Sequence, residues 1–447
     1  MSAGVLKRDV TATLGGNIVA TFLSLGNAVI LARVLGPANR GLLGLALLIP
    51  TIAGTFCIVG QDMVNATFGG LYKDKRSSLF QQSLVIALFG SIVSTLVICA
   101  FYFWLPIRRG RFDELGPKVV WLTCLVPPAL LLSRILISLV RGVGRITSAA
   151  AIHVIQIAAL LVLLVVFLIW QDGRLKAAVV LTALSSLVAV ALSIYALWDY
   201  AALRPSVFSS WLFKKSLAFG GQISLTTLAS FLVYRIDQVI LAYMVPVEQV
   251  GFYVVAVGVA ERLRVLPNSI AQAFLPRLSN EITDRQAQVP MVFRCSAIIS
   301  VGSMLMVAIL GAPAMLMLFG WDYSGSIVSF LLLLPGLAAL GGAAVLSSDL
   351  AAREKPKYSV WIGYIILAVN ILLNLALIPR MGIAGAALAS SVSYMGSGVL
   401  WLIFYRRESK TPIQQMIPCG GDFVYLYRAG IELLKQTWQL ILRRGRI

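Results

Sequence analysis

Apolar runs of about 20 residues, each closed by a few polar or small residues, succeed one another along nearly the whole chain, and this pattern predicts membrane-crossing helices. The stretch from Leu160 to Trp170 holds no polar break at all. Reading runs between polar punctuation predicts spans near 11–32, 42–60, 82–105, 119–140, 148–170 and 177–198, then near 217–244, 251–275, 291–319, 326–347, 358–378 and 383–405. The expected fold is an all-α polytopic membrane protein of about twelve transmembrane helices.

Polar residues recur inside these runs at helical spacing. The seventh span carries Gln222, Thr226, Ser230, Tyr234 and Asp237 on one face, and the eighth carries Glu261, Arg264, Asn268 and Gln272 beside Arg262. The first carries Thr13, Asn17, Thr21, Ser24 and Asn27. Such faces cannot prefer lipid, and two readings stand. Neutral side chains often join membrane helices by hydrogen bonds of about 0.6 kcal/mol each. A hydrated cavity is the other reading, with Asn17, Gln222, Thr226 and Asn268 in its wall.

Charges weigh more, because an Arg or Asp at mid-bilayer costs about 2.5 to 3.5 kcal/mol. Arg134, Arg235, Asp237, Glu261, Arg262 and Arg264 therefore need partners or water. Spans seven and eight form a hairpin around Val245–Val250, which sets Asp237 and Glu261 roughly 10 and 15 Å from the turn. Both carboxylates share a depth zone with Arg235, Arg262 and Arg264. Structurally, Asp237 and Glu261 neutralise nearby arginines and clasp the hairpin. Functionally, the surplus arginines bind an anionic headgroup, and a carboxylate serves as an H⁺ or Na⁺ site. Both readings can hold together. His153, one turn from Gln156, is expected as a packing residue ahead of a proton relay.

Composition agrees with lipid as the solvent: 59% of residues are hydrophobic and 12% charged, too few charges to cover a soluble surface. The net charge of +19 raises a nucleic-acid reading. Its distribution in short loops between apolar runs, with no basic aromatic-studded domain, argues against nucleic acid as a partner. The Lys/Arg bias of alternate loops places both termini in the cytoplasm, with Arg108, Arg109 and Arg111 as an exception. The N-terminal run reads as an uncleaved first span. Five cysteines without a CxxC pair suggest neither a disulfide framework nor a zinc site, so neither metal nor cofactor is expected. A nucleotide-binding G-x-x-x-x-G-K-[ST] stretch is also lacking, which points to an ion gradient or the substrate's own gradient as the driving force. Beyond Arg407 the chain turns polar, then places Val424, Tyr427, Ile431, Leu434, Trp438 and Ile441 opposite charged residues. That tail is expected either to lie on an anionic leaflet or to form a short soluble helix.

The segment NAVILARVLGPANRG from Asn27 is echoed by DQVILAYMVPVEQVG from Asp237 at a constant offset of 210, pairing Asn27 with Asp237 and Gly41 with Gly251. Four apolar matches are weak alone. The offset, however, is about half the membrane domain, which suggests two pseudo-equivalent six-helix lobes around a central cavity. The expected organisation is an N-terminal lobe over 1–200, a cytoplasmic linker over 201–216, a C-terminal lobe over 217–406 and a basic tail over 407–447.

Five segments together resemble the oligosaccharide flippase, or polysaccharide transporter, family of the MATE-like exporter superfamily. They are LARVLGPANRGLLGLA at 31–46, RGVGR at 141–145, DQVILAYMVPVEQVGFY at 237–253, FLPRLS at 274–279 and LIPRMGIAGAALA at 377–389. The resemblance implies a twelve-helix, two-lobed, non-enzymatic flippase of a bacterial inner membrane. It would carry polyprenyl-pyrophosphate-linked oligosaccharide by alternating access, for O-antigen, capsule or exopolysaccharide synthesis, with polysaccharide assembly proteins as candidate partners. Asp237, Gly251, Tyr253 and Pro276 fall where the family pattern places such residues; Pro246 departs from the glycine-containing turn of relatives, and the tail lies outside the resemblance. Two rival expectations are a cation-coupled exporter of drugs or metabolites, which an arginine-rich interior suits poorly, and a membrane polymerase or ligase, which would need an exposed catalytic loop.

Overall fold

The computed structural model describes residues 3–104, 110–168, 174–201, 208–263, 285–353 and 357–428, with the side chains of residues 3–14 and a few residues at segment ends left aside. Among them the elements are helices, joined by turns and short irregular links. In order they are α1 (Ala3–Cys57), α2 (Gln61–Leu71), α3 (Arg76–Cys99), α4 (Gly116–Thr123), α5 (Val126–Gly142), α6 (Ile146–Leu168), α7 (Arg174–Ala196), α8 (Ser210–Val233), α9 (Ile236–Met244), α10 (Val247–Leu263), α11 (Arg285–Phe319), α12 (Ser326–Ala352) and α13 (Lys357–Ser409).

Eight helical stretches among the described residues are long and apolar enough to cross a membrane, and the pair Arg111–Thr123 and Val126–Gly142, bent by 51°, makes a ninth. Two of the eight are too long for one crossing. Gly15–Cys57 has 43 residues and Tyr358–Ser409 has 52, against about 20 for a typical span. Each turns at a glycine, Gly36 with φ 69° and Gly382 with φ 57°, so each supplies two crossings. With α10, which runs to the edge of the described residues, the count reaches the expected twelve. The turns correct one detail of the sequence reading. Residues 33–41 and 379–382 form no loops, because a left-handed glycine reverses the chain in a single residue. At the first of these, Pro37 follows directly at the helix start, where its missing N–H costs nothing.

By contacts the chain falls into two compact units. The first comprises Met1–Arg262, Ala312–Leu333 and Gly363–Ser390. Part of its core gathers Phe68, Phe80, Leu136, Leu139 and Val140 from α2, α3 and α5. The buried polar cluster around Asn65 is paired, as an apolar surrounding demands. The fully buried Asn65 accepts from Gln61 Nε2 at 2.8 Å and donates to Ser83 Oγ at 2.8 Å and the Ile135 carbonyl at 3.0 Å.

Within this unit the two echoed glycines meet. A Cβ added to Gly41 would lie 2.2 Å from the Val247 carbonyl oxygen, and one added to Gly251 would lie 2.0 Å from the Pro37 carbonyl oxygen. Residues 37 and 41 map onto 247 and 251 under the offset of 210, so the contact is reciprocal, as at a two-fold interface. One turn further on, a Cβ on Gly44 would lie 2.9 Å from a methyl of Val254, again its counterpart at 210.

The second unit comprises Leu263–Gly311, Leu334–Ile362 and Ser391–Ile447. Ser296 Oγ donates to the Gly341 carbonyl at 3.0 Å, and Gly336 N–H donates to Ser391 Oγ at 2.8 Å, tying α11 to α12 and α12 to α13. Beyond α13 a helix over 420–428 is held by Asp422, whose two carboxylate oxygens accept from Arg294 at 2.7 and 2.9 Å. That guanidinium, with the Cys419 N–H, holds the Asp422 carboxyl below the usual carboxylate range. The rest of the expected amphipathic tail lies outside the described residues.

A charged cavity in the first unit

A cavity of about 550 Å³ opens between α1, α2, α5 and α6. The α5 wall presents Pro127, Leu131, Arg134, Ser138 and Arg141, spaced at three and four residues and therefore on one helical face. From α1 come Asn17, Thr51 and Thr55, from α2 Asp62, and from α6 His153 and Gln156. Inside it Arg134 binds Asp62 through Nη2 at 2.9 Å and Nε at 3.1 Å, both partners remaining partly exposed. Asp62 is available because α1 ends at Cys57 and α2 restarts after Val59 (φ 46°) and Gly60 (φ 64°). Gln156 Nε2 donates to Ser186 Oγ at 3.2 Å, which fixes that amide. His153 is exposed and lines the cavity, which corrects the expectation of a packed side chain.

The hairpin charges gather elsewhere in the same unit. Arg235 sits at the break between α8 and α9, and its fork grips both oxygens of Glu261, Nη1 to Oε1 at 2.9 Å and Nη2 to Oε2 at 3.0 Å. Bidentate geometry makes this the stronger kind of ion pair. Asp237 is buried, and its carboxylate accepts from Tyr253 Oη at 2.5 Å, Ser390 Oγ at 3.1 Å and the Gln238 N–H at 2.7 Å. Arg262 Nε donates to Ser24 Oγ at 2.9 Å, joining α10 to the polar face of α1, and its Nη1 donates to the Gly258 carbonyl at 2.6 Å. Val245 is extended, as the residue before Pro246 must be, so the turn forms without a glycine.

The structure thus brings Asn17 and Arg134 into one cavity, and Arg235, Asp237, Glu261 and Arg262 into the hairpin region. Gln222 is exposed and Thr226 half-buried, and neither is part of the cavity wall. Arg264 and Asn268 lie outside the described residues. Sequence reading missed Asp62, which fell just past the end of an expected span, and did not single out Arg141.

Among the described residues, a series of helices long and apolar enough to cross a membrane, with a charged cavity let into their bundle, has the features of a membrane transporter. Residues 6–281 match the family model described as polysaccharide biosynthesis protein. That is more than half of the chain, and the chain belongs to this family. It is 29% identical over 174 residues to a probable flippase, AglR, of Haloferax volcanii, a match that spans 37% of the chain and 36% of that relative. It is 21% identical over 423 residues to a putative O-antigen transporter of Shigella flexneri, spanning 90% of the chain and 98% of the relative. Among solved structures, an inward-facing MATE family multidrug resistance transporter of the MOP superfamily superposes with a TM-score of 0.72 at 14% identity, covering 90% of this chain and 98% of that one. The lipid II flippase MurJ in an inward closed conformation gives 0.71 at 16% identity, covering 91% and 88%. At such identities the structures speak for the fold.

Proposed function

We propose that this chain is a flippase that carries polyprenyl-diphosphate-linked oligosaccharide from the cytoplasmic to the outer leaflet of a bacterial inner membrane, for O-antigen, capsule or exopolysaccharide synthesis. The observation that carries the reading is the cavity, in a chain of the polysaccharide biosynthesis family. Arg134 and Arg141 face one carboxylate, Asp62, so the wall has a cationic surplus suited to a diphosphate, with the His153 ring beside it. Asn17, Thr51 and Gln156 offer the amide and hydroxyl groups that sugars need. Both termini are taken as cytoplasmic, which sets the broken end of α1 and the start of α2 toward the cytoplasm. The Gly41–Gly251 contact then lies at the opposite end and closes it; alternating access requires these two helix starts to part. Residues 1–200 and 217–406 are read as equivalent halves on the strength of that reciprocal contact.

In cells lacking the protein, the lipid-linked repeat unit should accumulate on the cytoplasmic side and be restored by the wild-type chain. An unchanged distribution between leaflets would sink the reading. If proton- or Na⁺-dependent efflux of small cations were lost instead, the chain would be a coupled exporter on the same fold.

A further inference from the structure

Two lysines from segments 140 residues apart converge on a single indole. Lys75 Nζ lies 4.6 Å and Lys215 Nζ 5.0 Å from the ring centroid of Trp211. Lys215 Nζ also lies 5.3 Å from the Tyr72 ring centroid and donates to Tyr72 Oη at 2.7 Å. The two rings meet edge to face at 5.8 Å, and Phe68, stacked on Phe219 at 5.1 Å, braces Tyr72 from behind. Both lysines and Trp211 are exposed. Among the described residues neither ammonium forms an ion pair, and neighbouring Asp74 pairs with neither. Each ammonium is held against an aromatic ring with no carboxylate to neutralise it, so an anion arriving beside Trp211 meets two uncompensated cations.

Position says which anion. Lys75 stands at the start of the span Lys73–Phe103 and Trp211 at the start of Ser210–Met244, so the cluster sits at the membrane–water boundary. Trp and Tyr favour that level, and lipid phosphates lie there. We propose that Lys75 and Lys215, framed by Trp211 and Tyr72, bind the phosphate or diphosphate of a lipid headgroup. The cluster stands one helix away from the cavity: α2 begins beside Asp62 and ends at Leu71, roughly 14 Å along its axis. A substrate diphosphate held there would be staged for entry. That staging role rests on the flippase reading, whereas the phosphate site itself does not.

Native mass spectrometry of the purified full chain in nonionic detergent tests this, with geranylgeranyl diphosphate, phosphatidylglycerol and phosphatidylcholine as separate probes. K75Q/K215Q should bind its preferred anionic lipid about thirty-fold more weakly, from two interfacial lysines. K75R/K215R should bind nearly as the wild type does, and phosphatidylcholine should not discriminate among the variants. K214Q, which removes an adjacent exposed lysine, should change binding less than about three-fold. Wild-type binding by K75Q/K215Q, or an equal loss in K214Q, would overturn the site. Tighter binding of the diphosphate assigns it to substrate, and tighter binding of phosphatidylglycerol assigns it to bulk lipid; either outcome supports the phosphate site. Should this pattern hold while deletion leaves repeat units evenly distributed, the flippase reading fails and the site stands.

Discussion

The segments 27–44 and 237–254 perform one backbone task with different chemistry. The first turns at Gly36, a left-handed residue followed by Pro37; the second turns at extended Val245 followed by Pro246. Each then starts a helix at once and presses a glycine against a carbonyl of the other. Their polar groups have diverged. Asn27 donates to the Ile157 carbonyl at 3.1 Å, where Asp237 collects two hydroxyls and an N–H. Arg33 caps the carbonyls of Met317 and Leu318 at 2.6 Å each, where its counterpart is Tyr243. Close approach of the two helix starts is thus what the two segments share, while charge handling differs between them.

The largest expected effect comes from breaking the shared part. Gly41→Val and Gly251→Val each push carbon into a carbonyl oxygen, at 2.2 and 2.0 Å, so the helix starts must separate. Overpacking of this kind costs about 3 kcal/mol, enough for about a 100-fold shift away from the closed arrangement. Transport in reconstituted vesicles should fall by about that factor for both variants, with membrane abundance as the control. A loss in one variant and not the other would show that the contact is not reciprocal in function.

That contact was half legible in the sequence. The offset of 210 marked Gly41 and Gly251 as equivalents, but a one-dimensional repeat cannot say that equivalents touch. Most spans were legible because lipid forces long apolar runs. Helix continuity through Gly36 and Gly382 was not, since glycine beside polar residues reads as a loop whether it bridges ten residues or turns within one. Arg134 stood out as a lone charge in an apolar run, while its partner Asp62 was hidden by a helix break that places a nominal loop residue in a wall. The polar stripe expected on one face of the seventh span is divided by the break at Tyr234 and Arg235, which puts Asp237 on α9, and spacing alone does not tell what Gln222 faces. Lys75 and Trp211 lie too far apart in sequence for any local pattern to join them.

The next effect separates the two ion pairs. Arg235 and Glu261 form a bidentate pair, each about a quarter exposed, and Arg235→Ala would strand the Glu261 charge within an apolar bundle. With that partial exposure the cost should be about 2 kcal/mol, below the figure for fully buried pairs, and membrane abundance should drop several-fold. R235Q/E261Q should restore it. Arg134→Ala, in a pair 48% and 26% exposed, should cost under about 1 kcal/mol and leave abundance intact while lowering transport about ten-fold. Abundance lost in R134A, or held in R235A, would reverse the division between a cavity charge and a structural one.

The smallest effect exchanges the residues that differ at the first equivalent position. Asn27→Asp removes the amide donor and sets a carboxylate against the Ile157 carbonyl in a buried site, at a cost of about 2 kcal/mol. Asp237→Asn should be gentler, about 1 kcal/mol, because Tyr253 and Ser390 carry hydroxyls that can turn and accept from the new amide. Thermal unfolding in detergent should therefore rank N27D below D237N. Equal losses would mean that the charge of Asp237, and not its hydrogen bonds, holds this region. If D237N keeps its stability and its transport rate but loses any dependence of that rate on pH or Na⁺, the carboxylate serves as the coupling group. A rate that keeps its ion dependence in D237N leaves Asp237 as a hydrogen-bonded brace, doing for the second hairpin what Asn27 does for the first.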